Sequence, residues 1–305
     1  MHLSAAALRH WEIPQQAHFE DTPGGLVRLN VTTRLASAQI YLHGAHVAQF
    51  QPAGAAPVLF LSAASAFQPG KAIRGGVPVI FPWFGPRAGH PEAPAHGFAR
   101  TLPWEVESLT VSPDGIMEIS LVLIASEQTR SLWPHDFLLR HRITVGSELS
   151  MALEVVDPGG EPFEFEEALH TYLEVGDVRE VSTTGLAGAA YLDKVEQFQR
   201  KIQGEAPIRI TGETDRVYLN TEAPCIADDP VAGRRIEVSK EGSKTTVVWN
   251  PWIAKAAAMS DFGDDEWPRM LCIETANAGE NGVTLPRGGR HTMSVTIRVL
   301  PREEV

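Results

Sequence analysis

Arginine, histidine and aromatic side chains crowd into residues 73–100, IRGGVPVIFPWFGPRAGHPEAPAHGFAR. Arg74, Arg87 and Arg100 offer guanidinium groups, His90 and His96 imidazoles, and Trp83 and Phe84 flat apolar faces. Prolines from Pro78 to Pro94 fix φ, and the glycines let backbone come close to a ligand. The segment therefore reads as a rigid, shaped loop system. Guanidinium groups on such a scaffold suit bidentate capture of carboxylate or phosphate oxygens. A Pro/Gly-rich connection with solvated charges accounts for the same composition, so residues further along must decide.

Two later runs do so. Read as a strand, Phe163–Glu174 (FEFEEALHTYLE) places Phe163, Phe165, Leu169 and Leu173 on one face. Glu164, Glu166, Ala168, His170, Tyr172 and Glu174 fall on the other, so His170 points away from the apolar core. A lone histidine there is more often a solvent-facing one. In MLCIETAN, Leu271 and Ile273 share a face, and Glu274 lies opposite them with Met270, Cys272 and Ala276. A glutamate among such apolar neighbours is costly to bury unless it is paired or has a task. Met270 and Cys272 are too apolar for an open surface, which favours the task.

Weaker signals accompany these. Asp215 precedes Arg216 in GETDRVY, a step that is usually a structural turn. Trp249, Trp252 and Trp267 flank Lys255 and an acidic loop, a composition that suits sugar stacking but equally suits core and rim aromatics. His43 and His46 have a possible metal spacing, with no third ligand recognisable. No GxSxG, P-loop, HExxH or Rossmann glycine pattern stands in a suitable context. Cys225 and Cys272 lie outside any CxxC or Cys/His pattern, so neither a zinc site nor a disulfide framework is indicated.

The elements that must position these residues are strands. In His291–Leu300, His291, Met293, Val295, Ile297 and Val299 alternate with Thr292, Ser294, Thr296 and Arg298. Similar runs cover Leu26–Thr32, Gln39–Leu42, Val58–Leu61, Trp104–Leu109, Ile116–Ile124, Phe137–Val145, Leu149–Val156, Arg235–Val238, Thr245–Trp249 and Met270–Thr275. Turn signals separate them, among them Pro113-Asp114-Gly115, Pro158-Gly159-Gly160, Glu241-Gly242 and Arg287-Gly288-Gly289. Only Gln128–Trp133 suits a short helix. Many strands at close spacing predict an all-β, antiparallel sandwich or barrel, and residues 1–305 read as one large domain.

Composition narrows the partners. A formal charge of −12, without basic runs or basic–aromatic interleaving, argues against nucleic acid and anionic membranes. A small anionic ligand needs a local arginine cluster working against that field. The N-terminal stretch MHLSAAALRHWEIP lacks a signal-peptide core, no apolar run reaches transmembrane length, and a cytoplasmic location is expected. Asn30-Val-Thr32 matches a glycosylation acceptor, which that location makes a chance match.

Six segments, IRGGVPVIFPWFG, HGFAR followed by PW, LHTYLEVGDV, GETDRVY, VVWNPW and CIETAN, occur in this order over nearly the whole chain. Together they resemble the glucose-6-phosphate 1-epimerases, the hexose-6-phosphate mutarotases of the aldose 1-epimerase superfamily. That resemblance implies a galactose-mutarotase-like β-supersandwich and a mechanism without metal or cofactor; a monomer is expected. It implies interconversion of the α and β anomers of D-glucose 6-phosphate. By position, it makes His170 and Glu274 the catalytic pair. It makes Arg74, Arg100 and Asp215 substrate contacts, with His96 lining the same cleft. Some members carry a glutamine just before HGFAR where this chain has Ala95, which puts one substrate hydrogen bond in question.

Mutarotation needs a base at the anomeric hydroxyl and an acid at the ring oxygen. Glu274 as carboxylate and His170 as imidazolium, its pKa raised by a nearby carboxylate, fit those roles. Three rivals stay open: an epimerase of free hexoses, a noncatalytic carbohydrate-binding or sensing protein on the same fold, and a glycoside hydrolase. The last canonically uses two carboxylates, whereas a His and a Glu oppose each other here.

Overall fold

The computed structural model describes residues 4–302. Antiparallel sheets dominate it, as the period-2 runs predict. Along Arg290–Pro301, Met293, Val295 and Ile297 are buried while Thr292 and Arg298 are exposed, so the alternation picks the core face correctly. This strand is central in a nine-stranded sheet, paired with Leu149–Val156 on one side and Arg234–Glu241 on the other. A four-stranded meander, Ala17–Asp21 to His46–Pro52, forms a separate sheet.

An eight-stranded sheet carries the residues of interest. Its order runs Gln199–Ile202, Ala190–Asp193, Thr214–Leu219, Thr245–Asn250, Met270–Asn277, Glu167–Leu169 and Val79–Ile80, with Tyr172–Glu174 also pairing on Met270–Asn277. Thr245–Asn250 and Met270–Asn277 are buried along their whole lengths, hence on both faces. One apolar cluster runs from Leu8 to Ile297 and joins side chains of all three large sheets.

Several expectations need correction. Phe163–Glu174 is not one strand but three, Phe163–Phe165, Glu167–Leu169 and Tyr172–Glu174. At the two breaks the chain turns to other partners: the Glu166 amide bonds to the Pro82 carbonyl and the His170 amide to that of Pro78, and the Tyr172 amide bonds to the Gly76 carbonyl as the third strand begins. Val58–Leu61 makes only isolated bridges, Leu59 with Leu173 and Leu61 with Gly75. Asp215 lies inside a strand, Thr214–Leu219, not in a turn. The helix read at Gln128–Trp133 spans Glu127–Leu132, started by a capping box between Ser126 and Thr129. A second one, Trp252–Ala258, had no clear apolar period to announce it.

Candidate active site

Strand register brings His170 and Glu274 together. Leu169 pairs with Thr275 and Tyr172 with Cys272, so residues 170–171 sit opposite 273–274. His170 Nε2 lies 3.2 Å from Glu274 Oε1. The next strand places Val247 beside Glu274 and Trp249 beside Cys272, and the one after places Asp215 beside Trp249. Four neighbouring segments thus present their side chains to one place.

Far from being solvent-facing, His170 is 8% exposed and Glu274 2%. The His170 ring stacks on Tyr172 at 4.8 Å and meets the edges of Trp249 and His96 at 6.0 and 5.9 Å. Two polar atoms of the pair, His170 Nδ1 and Glu274 Oε2, are buried without a protein partner. Such an atom costs about 1–3 kcal/mol, which a fold tolerates where a ligand completes the bonding.

Burial acts on both members. It pushes the Glu274 carboxyl well above its usual range, and the charge of Asp215 adds to this. It pushes the His170 imidazole well below its usual range, helped by His96, Arg74 and Arg100. This corrects the expectation of an imidazolium raised by its carboxylate neighbour: both groups are driven toward their neutral forms.

His96 has φ 64°, the left-handed region, and the amide of Gly85 donates to its Nδ1 at 3.2 Å. That bond leaves the ring proton on Nε2. Burial, followed by the charges of Arg100 and Lys194, keeps the ring neutral. Gly97 follows because nothing larger fits: a Cβ there would lie 1.9 Å from the Phe81 carbonyl oxygen.

The two arginines differ. Arg74 donates from Nε and Nη2 to Asp261 Oδ2, at 3.2 and 3.0 Å, and from Nη1 to the Tyr172 hydroxyl at 2.9 Å. Arg100 donates from Nη2 to the Ala95 carbonyl at 2.7 Å, while its Nε is buried without a partner. Burial, then repulsion from Arg74, lowers the Arg100 pKa to about 10. Position 95 therefore enters the site through its main chain, which holds Arg100.

Asp215 is buried and receives the Lys194 ammonium at 2.9 Å. Lys194 also lies over the Phe84 ring at 5.6 Å and is felt electrostatically by Glu274 and His96. Sequence reasoning missed Lys194 altogether, since no motif marks it. It also missed Tyr172, although Tyr172 shares a predicted face with His170, and Asp261, seen only as part of an acidic loop.

Other candidates go elsewhere. Arg87 stacks over Trp83 at 4.9 Å and donates to the Leu132 carbonyl. His90 pairs with Glu92, and His43 bonds the Lys71 carbonyl at 2.8 Å. Trp252 and Trp267 pack on each other at 4.2 Å, and Lys255 pairs with Glu213, so of these aromatics Trp249 alone touches His170. Among the described residues, no group of three or more His, Cys, Asp or Glu side chains is arranged to hold a metal ion. Among them, too, no helix is long and apolar enough to cross a membrane.

The buried His–Glu contact lies on a fold of antiparallel sheets, with Trp249 at the edge of the histidine ring. The chain belongs to the aldose 1-epimerase family, whose profile matches residues 27–298. It is 40% identical over 265 residues to a protein of Escherichia coli K12 named "Putative glucose-6-phosphate 1-epimerase", with 87% of each chain covered. A protein of Cenchrus ciliaris with the same name is 35% identical over 294 residues, covering 93% of this chain and 88% of that one. The crystal structure of a "putative mutarotase" from Salmonella typhimurium superposes with a TM-score of 0.89 at 33% identity, over 95% of this chain and 96% of that one. The crystal structure of a "Putative aldose 1-epimerase" from Escherichia coli K12, 13% identical with a TM-score of 0.70 over 91% of this chain and 100% of that one, shares the fold.

Proposed function

We propose that this enzyme interconverts the α and β anomers of D-glucose 6-phosphate by ring opening and closure. One observation carries the reading: His170 Nε2 and Glu274 Oε1 touch at 3.2 Å, each with its second polar atom buried and unsatisfied, beside two guanidinium groups. The anomeric hydroxyl and the ring oxygen hang on the same carbon. An acid and a base in mutual contact can therefore address both at once.

Glu274 takes the proton of the anomeric hydroxyl while His170 gives one to the ring oxygen. The ring opens to the aldehyde, rotation about C1–C2 turns the other face, and closure reverses both transfers. The neutral pair, acid and imidazole, holds the same number of protons as the working pair, carboxylate and imidazolium. A phosphate dianion on Arg74 and Arg100 offsets two of the charges that press the imidazole toward neutrality. Transfer of one proton from Glu274 to His170 within the contact arms the pair without drawing a proton from solvent. Positioned acid–base groups contribute roughly 10²–10⁴-fold each, enough for a reaction that already proceeds slowly in water.

Arg100, whose side chain bonds a main-chain carbonyl and not a carboxylate, brings its charge to the phosphate, Arg74 lends its remaining N–H groups, and Asp215 with Lys194 faces the sugar hydroxyls. NMR exchange spectroscopy across free and phosphorylated hexoses tests the proposal. Faster anomer exchange for glucose 6-phosphate than for glucose supports it. Equal rates, with Arg74→Ala and Arg100→Ala losing equally on both sugars, move a free-hexose epimerase to first place.

A further inference from the structure

We propose that Asp261 is a positioning residue for recognition of the substrate's anionic group: it orients Arg74 from behind and leaves the outer N–H groups for the ligand. The inference rests on the phosphate-binding reading of Arg74 given above. A guanidinium has five N–H donors in a fixed plane. Asp261 takes two with a single oxygen and Tyr172 a third, so one remains on each terminal nitrogen. An oxyanion can bind these without displacing Asp261.

Asp261 is itself held. The next residue, Phe262, is buried against Phe60 with ring centroids 5.6 Å apart. Glu266 at the far end of the same loop accepts from Ser62 Oγ at 2.6 Å and the Ala63 amide at 2.9 Å, and from the Gly263 amide at 2.8 Å. Ser62 and Ser65 in turn fasten the Arg74 backbone: the Ser62 amide donates to the Arg74 carbonyl at 3.1 Å, and the Arg74 amide to Ser65 Oγ at 3.0 Å. One loop therefore clamps Arg74 twice, by main chain through Glu266 and by guanidinium through Asp261.

A displaceable plug needs a mobile loop, and this one is anchored on both sides of the aspartate. Stability does not explain the contact either. Both partners are partly exposed, 22% and 32% at the side chain, and such pairs contribute little. Orientation does. A guanidinium free to rotate must lose that freedom when the anion binds, whereas one already held loses little.

The test is KM and kcat for glucose 6-phosphate and for glucose in wild type, Asp261→Asn, Asp261→Ala and Arg74→Ala, with melting temperatures. We expect Asp261→Ala to raise KM for glucose 6-phosphate about 10-fold, the size of one charge-assisted hydrogen bond. Asp261→Asn, which keeps an acceptor, should lose less. Glucose kinetics and melting temperature should stay near wild type. Tighter glucose 6-phosphate binding in either variant would show Asp261 to be a competitor of the phosphate and overturn the inference. Equal losses on both sugars would reduce it to loop support and do the same. If Arg74→Ala spares glucose while Asp261→Ala changes nothing, the inference alone fails. If Arg74→Ala harms both sugars alike, the phosphate reading fails and takes the inference with it.

Discussion

Strand Met270–Asn277 lies beside two His–Glu contacts, one buried and one with a half-buried histidine, that use the same residue types to different ends. Near its middle, His170 meets Glu274 at 3.2 Å. At its end, His291 Nε2 meets Glu167 Oε1 at 2.9 Å, and Asn277 Nδ2 donates to that same oxygen at 2.9 Å. Burial lowers the His291 pKa, but the hydrogen bond and charge of Glu167, with the Gly242 carbonyl, outweigh it and raise the net value. At the first pair burial is the largest influence on both members: cationic neighbours push the His170 imidazole the same way, and Asp215 adds to the rise of the Glu274 carboxyl against the pull of Lys194 and Arg100. Depth and surroundings separate the pairs: half-buried His291 faces Glu167 with the Asn277 amide on the same oxygen, whereas the more deeply buried His170 has cationic side chains around it and its Nδ1 without a protein partner.

The largest expected effect separates the two pairs by activity. His170→Asn and Glu274→Gln should each lower kcat about 10²-fold or more, with the double variant far from additive because the proposed mechanism uses both in one transfer. Glu167→Gln and His291→Asn should leave kcat within a few-fold of wild type. Anomer exchange rates measured by NMR decide it, and a Glu274→Gln enzyme of normal turnover would show the base to be another group.

Stability should reverse that ranking. Glu167→Gln removes the charge facing His291 and should cost about 1–3 kcal/mol in denaturant unfolding. Glu274→Gln should cost nothing or stabilise. A carboxyl whose folded pKa is raised must take up a proton on folding at neutral pH, and that penalty grows as pH rises above the unfolded value. The melting-temperature advantage of Glu274→Gln over wild type should therefore widen with pH above about 4.3, the unperturbed glutamate pKa. A destabilised Glu274→Gln would mean that the carboxylate braces the sheet.

The smallest effect is the pH response of the brace itself. Because the folded pKa of His291 is raised, its contribution is fully present below the unfolded value near ~6.5 and is lost as pH climbs through the folded one. The melting-temperature gap between wild type and His291→Asn should shrink across that window. A gap independent of pH would assign His291 a packing role only.

Much of this was legible in the chain before folding. The alternation of Met293, Val295 and Ile297 marked a strand and its inward face, because side chains on extended backbone must alternate. A glutamate beside Met270 and Cys272 marked Glu274 as anomalous, because transferring a carboxylate out of water needs a reason. The ordered motifs marked the family. The break at His170, by contrast, was hidden, since it depends on carbonyls of Gly76 and Pro78 some ninety residues away by sequence number.

Types, patterns and order in the sequence determined the sheet-rich architecture and which residues were candidates for chemistry. Only the tertiary structure decided what state those residues are in. It placed Lys194 on Asp215, Asp261 on Arg74 and the Ala95 carbonyl on Arg100, and it drove His170 toward the neutral form instead of the charged one. The reason is physical. Local conformation follows from neighbours along the chain, whereas burial and charge depend on neighbours in space, and at this site strands and loops from Arg74 to Glu274 supply them together.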